Sequence, residues 1–156
     1  MPKSKRPRHS KQTRRRQSNP RLIAQPWKTA AVFDPIERIV DQLERDGTVT
    51  VTLDGMPVFL NTDGKWYSSV AAIEGVIQAF EIHSGRTNHA LPIRPLHQLA
   101  TKLRIGMPIF SSDTTAVRAA LNVLRRAGNS LTADEAAELA QAVSISAAMD
   151  KVMEAA

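Results

Sequence analysis

The chain has 156 residues, 42% of them apolar, no cysteine and a formal charge of +6. That length supports one domain with a core of its own, and the lack of thiols excludes disulfide staples, thiolate zinc sites, iron–sulfur clusters and cysteine nucleophiles. No window approaches the ~18 apolar residues of a membrane span, and the charged N-terminus has no apolar run behind it, so the expectation is a soluble, unexported protein with no membrane partner.

The charge is unevenly placed. Residues 1–21 hold nine cations (Lys3, Lys5, Arg6, Arg8, Lys11, Arg14, Arg15, Arg16 and Arg21) and no acid, whereas residues 22–156 carry 12 basic and 15 acidic side chains, a net −3. The first segment has Pro2, Pro7 and Pro20 and almost nothing apolar, too little to offset the entropy of ordering. Three regions are expected: a disordered basic arm over 1–21, an extended linker over 22–33, and a single α+β domain over 34–156. Within the linker, Trp27 is expected to pin the root of the arm to the core.

The first helix is expected at Asp34, an acidic N-cap followed by Pro35 at the first helical position and Glu37 at the third. Ile36, Ile39, Val40 and Leu43 fall on one face, and Gly47 ends the helix. Thr48 to Leu53 alternates, with Val49, Val51 and Leu53 on one side of a strand and the threonines on the other. Asp54-Gly55 signals a hairpin turn, and a second strand over 56–61 follows, with Pro57 pointing to an edge. Asp63-Gly64 marks another turn before a short third strand over 65–68, which makes a three-stranded antiparallel meander.

Ile73, Val76, Ile77 and Phe80 define a helix over 70–83 that covers the sheet, with Gly85 as its end. A helix from Pro95 turns Leu96, Leu99 and Leu103 inward and stops at Gly106. Ser112 or Asp113 caps the next helix, which has Val117, Ala120, Leu121 and Leu124 on its inner face and breaks at Gly128 and Asn129. Thr132 and Glu135 form a capping box that opens an Ala-rich helix reaching about Val152, so the chain ends in a helical hairpin. The stripe of Ala136, Leu139, Ala140, Val143 and Ala147 allows close packing on its own partner helix or, as a homodimer, on a second copy.

Few residues suggest chemistry. His83, His89 and His97 lack the i and i+4 spacing of a helical metal site, and no phosphate loop or nucleophile motif is present, so neither metal nor cofactor is expected. Asp54 and Asp63 are explained by their turns. The arm is the informative motif, because its clustered cations would release counterions from a polyphosphate and its arginines match phosphate oxygens. It offers no aromatic to stack on a base and no element to enter a groove, which implies attachment without sequence recognition.

Three segments, Asp34-Pro35-Ile36-Glu37-Arg38-Ile39, Gly55-Met56-Pro57-Val58-Phe59 and Pro95-Leu96-His97-Gln98-Leu99, together resemble small proteins of bacteriophages and prophages of proteobacteria over about residues 33–110. The resemblance implies a mobile-element origin and a bacterial cytoplasm, and carries no activity with it. The resulting expectation is a non-enzymatic, phage-type accessory protein that binds DNA or RNA through the arm listed above, its body contacting itself or a protein partner. The alternative is a regulator or inhibitor of a host protein acting through the acidic body.

Overall fold

The computed structural model describes the backbone of residues 26–142 and the side chains of residues 32–142. Its elements are α1 (Pro26–Asp46), β1 (Thr50–Val51), β2 (Pro57–Leu60), β3 (Trp66–Ser68), α2 (Ser69–Thr87), α3 (Arg94–Ile105), α4 (Ser111–Asn129) and a last helix, α5, described over 133–142. The class is α+β, with a small antiparallel sheet set among helices.

α1 is described from Pro26, so the expected start at Asp34 is corrected, as is the extended linker over 26–33, its residues 22–25 lying outside the described residues. Pro35 lies inside the helix. A proline fits the first position of a helix equally well at 26 and at 35, and at 35 its ring forfeits one backbone hydrogen bond, the one to the carbonyl of Ala31. Phe33 supplies the offsetting gain: it is buried, with its ring 5.7 Å from that of Phe80, and only a helix that starts upstream carries it into the core. The expected contact of Trp27 falls outside the described side chains.

The meander has the order β1-β2-β3 with both pairs antiparallel. Its two Asp-Gly turns share one construction. In the first, Gly55 donates to the Thr52 carbonyl, Thr52 donates to the Met56 carbonyl, and Gly55 sits at φ +78°. In the second, Gly64 donates to Asn61, Asn61 donates to the Lys65 carbonyl, and Gly64 sits at φ +75°. Each is a three-residue loop ending in a left-handed glycine bulge, which explains why glycine stands at both places. Pro57 is not at an edge; it is the first residue of the central strand, where a missing N–H costs little, and it is buried. The expected inward face of β1 holds only at Val49, since Val51 and Leu53 are exposed.

α2 starts under a Ser68 cap, whose hydroxyl accepts from the Ala71 N–H, and runs through Gly85 to end at Asn88 in the left-handed region. α3 ends as expected on Gly106, at φ +68°. α4 starts at Ser111, not at a Ser112 or Asp113 cap; Asp113 acts instead from within the first turn, accepting the Phe110 N–H at 2.8 Å. The capping box of Thr132 and Glu135 forms in both directions. Leu139 of α5 is buried and Ala136 half-buried, while Val143 and Ala147 lie outside the described residues.

The core joins Ile36, Ile39 and Leu43 of α1, Phe59 of β2, Ile73 and Phe80 of α2, Leu96 and Leu99 of α3, and Val117 and Leu124 of α4. Two ladders of charge fix how the helices run. Glu37 pairs with Arg125, and seven residues later Glu44 pairs with Arg118, seven residues earlier, so α1 and α4 are antiparallel. Glu74 with Arg104 and Glu81 with His97 repeat the same step between α2 and α3.

Candidate functional site

All nine arm residues singled out in the sequence, from Lys3 to Arg21, lie outside the described residues. The body therefore has to be read for what it adds to them. Many of its cations are committed to acids. Arg118 reaches Asp41 and Glu44 at 2.6 Å each, Arg125 reaches Glu37 and lies over the Phe33 ring, and Lys102 sits 2.7 Å from Asp113. The paired carboxylates raise the proton affinity of Arg118, and its guanidinium holds the Glu44 carboxyl below its ordinary range. Arg45 is taken by Asp46, and Arg86 by Glu138. No comparable partner holds the exposed Arg38, Lys65, Arg94 or Arg126 among the described residues.

Two surfaces of the body stand out. The first is a groove of about 510 Å³ between the outer side of α1 and the sheet, bordered by Arg38, Gln42 and Arg45 on the helix and by Thr50, Leu60 and Trp66 on the strands. Gln42 donates to the Thr50 hydroxyl at 2.9 Å, which ties the helix to the edge strand. Leu60 and Trp66 face each other across β2 and β3, and both are exposed, the indole at 56%. On the same strand Tyr67 leans against Phe59 and donates its hydroxyl to Asp63 at 2.6 Å. That bond holds the Asp63 carboxyl below its ordinary range and pushes the phenol up.

The second surface is an apolar end. The β1–β2 hairpin exposes Val51, Leu53 and Met56, and the end of α3 with the segment that follows it exposes Ile105, Met107 and Phe110. Between them runs a groove of about 280 Å³ with Val51, Gly55 and Pro57 on one bank and Gly106, Met107 and Pro108 on the other. Leu53 sits at the tip of a turn with its whole side chain in solvent, and Phe110 is 62% exposed. Phe110 is nevertheless held in place: its N–H goes to Asp113, whose carboxylate also receives Lys102 at 2.7 and 2.8 Å, and the same ammonium lies 5.5 Å from the Phe110 ring centre. These bonds, that of Lys102 first, hold the Asp113 carboxyl below its ordinary range. Six large apolar side chains are thus exposed on the hairpin and the α3–α4 corner, two of them, Val51 and Met107, in the groove itself.

The histidines do not converge. His97 faces Glu81 at 2.9 Å, whereas His83 and His89 border a shallow groove with Arg126 and Glu135. Among the described residues no three metal-ligating side chains gather, and no helix is long and apolar enough to cross a membrane.

The fold is that of a helical α+β domain with an inserted meander. Comparison with protein-family models, curated proteins and solved structures finds no match. Residue roles therefore rest on the surfaces themselves. Sequence reasoning missed Trp66, Leu53, Met107 and Phe110. A leucine beside an Asp-Gly turn, and the run Ile105 to Phe110 interrupted by Gly106 and Pro108, were the available signals, since neither fits a buried helix or strand.

Proposed function

We propose that this is a non-enzymatic, phage-type accessory protein that holds nucleic acid through its basic arm while the apolar end of its body contacts a protein partner. The observation that carries this reading is that the apolar end of the body lies at the far end of α1 from Pro26, the helix that the arm precedes in the sequence. Because α1 and α4 are antiparallel, the start of α4 and the Phe110 segment lie by the other end of α1, where the hairpin also sits. The 21-residue helix sets Pro26 about 30 Å from that end.

The nine cations of residues 1–21 are offset by no acid of their own, while in the body Arg118, Arg125 and Lys102 are already tied to carboxylates. The arm is therefore the one long run of cations in the sequence with no acid among them. Fluorescence polarisation with labelled DNA and RNA, at two salt concentrations, tests the reading. Full-length protein should bind with a log–log salt slope of up to ~0.9 per duplex phosphate contacted, and a chain beginning at Leu22 should bind far more weakly. Equal binding by both, or by neither, rejects it. The apolar end also favours a second reading, a regulator of a host protein that needs no nucleic acid. Function that persists without the arm but is lost in Phe110→Ser selects that reading.

A further inference from the structure

We propose that the groove between α1 and the sheet is a second nucleic-acid contact, in which Trp66 stacks on an unpaired base of a single strand and Arg38 holds the adjoining phosphate. This rests on the reading of the arm and adds a site on the body, with single-stranded DNA or RNA as its ligand. Three observations carry it. Trp66 leaves more than half of its surface in solvent although it lies on a strand beside the core, and with Leu60 across from it the groove gains an apolar wall that can take the flat face of a base. Stacking on an aromatic ring is tolerant of base identity and needs an unpaired base, which selects single strands over duplex.

Arg38 supplies the second observation. Of the groove's charged groups, Arg45 and Asp46 neutralise each other through two 2.9 Å bonds, and Asp41 goes to Arg118. Arg38 is left uncommitted among the described residues, and so is the ammonium of Lys65, the neighbour of Trp66, so two free cations at or beside a groove whose lining is neutral overall are open to a phosphate. The third is continuity with the arm. Arg38 lies twelve residues beyond Pro26 on one helix, about 18 Å along its axis, and the arm precedes that helix in the sequence, so the two contacts belong to one run of chain.

The test uses full-length protein carrying Trp27→Phe, so that Trp66 is the sole indole, titrated with a twenty-nucleotide oligothymidine and with a duplex of equal length. The oligothymidine should quench Trp66 emission at saturation, and the duplex should leave it unchanged. Trp66→Ala should weaken oligothymidine binding about tenfold at an unaltered salt slope, because stacking releases no counterions. Trp66→Leu keeps the apolar cover but not the ring, and should show the same loss, which separates stacking from a folding defect. Arg38→Gln should lower the log–log slope by about 0.7. Oligothymidine binding with unquenched Trp66, or Trp66→Leu within twofold of its parent, overturns the inference and leaves the arm reading standing. Quenching that depends on protein concentration without oligothymidine also overturns it, since the groove is then filled by a second copy. Failure of the full-length chain to bind any oligonucleotide at low salt overturns both.

Discussion

Leu124 and Leu53 are the same residue in opposite settings. The first lies at the centre of the helical core with no exposed surface, and the second stands at the tip of the β1–β2 hairpin with its side chain wholly in water. The helical region spends its apolar residues on each other and lines its seams with ion pairs. The hairpin end leaves apolar residues out while fixing their backbone with glycine-ended loops and the Asp113 contacts. A fold that needed Leu53 for stability would have buried it. The difference separates residues that hold the molecule together from those its stability can do without.

Substitutions at the two ends should break or sharpen that division. Leu124→Ala removes a fully buried side chain and should cost about 3 kcal/mol, read from the midpoint of a urea titration. A loss under about 1 kcal/mol would mean the core is looser than its packing. Asp113→Asn tests the seam between the regions. It removes the partner of a half-buried ammonium and weakens the bond that holds the start of α4, so a loss of about 1 to 2 kcal/mol is expected. Because the folded carboxyl is held below its ordinary value, its contribution is fully present above the unfolded pKa and is lost as pH falls through the folded one. The stability gap between parent and variant should thus be constant from pH 7 to about 5 and close below about pH 4. A gap that persists in strong acid would assign the effect to packing. Leu53→Ser should change stability least, by less than about 0.5 kcal/mol, while weakening any protein partner's binding. Destabilisation as large as at Leu124 would erase the distinction between the two ends.

Much of the fold was legible because local signals agreed with the tertiary outcome. Two Asp-Gly pairs fixed the meander, Gly106 ended α3, and the Thr132 and Glu135 box opened α5 where expected. Errors arose where a local signal had two meanings. Asp34-Pro35 with Glu37 reads as a helix start, yet tertiary burial of Phe33 carries the helix through it. Gly85 reads as a stop, but one glycine costs a helix only about 1 kcal/mol, and the left-handed Asn88 sets the end instead. Alternation placed Val51 and Leu53 inside, but β1 is an edge strand of two residues and its register cannot bury them. The uneven charge was readable from composition alone. The Trp66 groove was not, because it exists only once the pairing of Leu60 with Trp66 is set beside α1, far away in sequence.

The ladders of paired charges also act as a vernier. Slide α4 one turn toward the start of α1, and Arg125 leaves Glu37 for the level of Phe33, whose ring it already overlies, while Arg118 leaves Glu44 for that of buried Val40. Slide it the other way, and Arg118 passes the end of the helix at Asp46 while Arg125 comes level with Asp41, so at most one of the two pairs re-forms. With the same seven-residue step written between α2 and α3, a misaligned bundle keeps fewer of its ion pairs. The alignment of four helices is thus specified by side chains that contribute little to how tightly they hold.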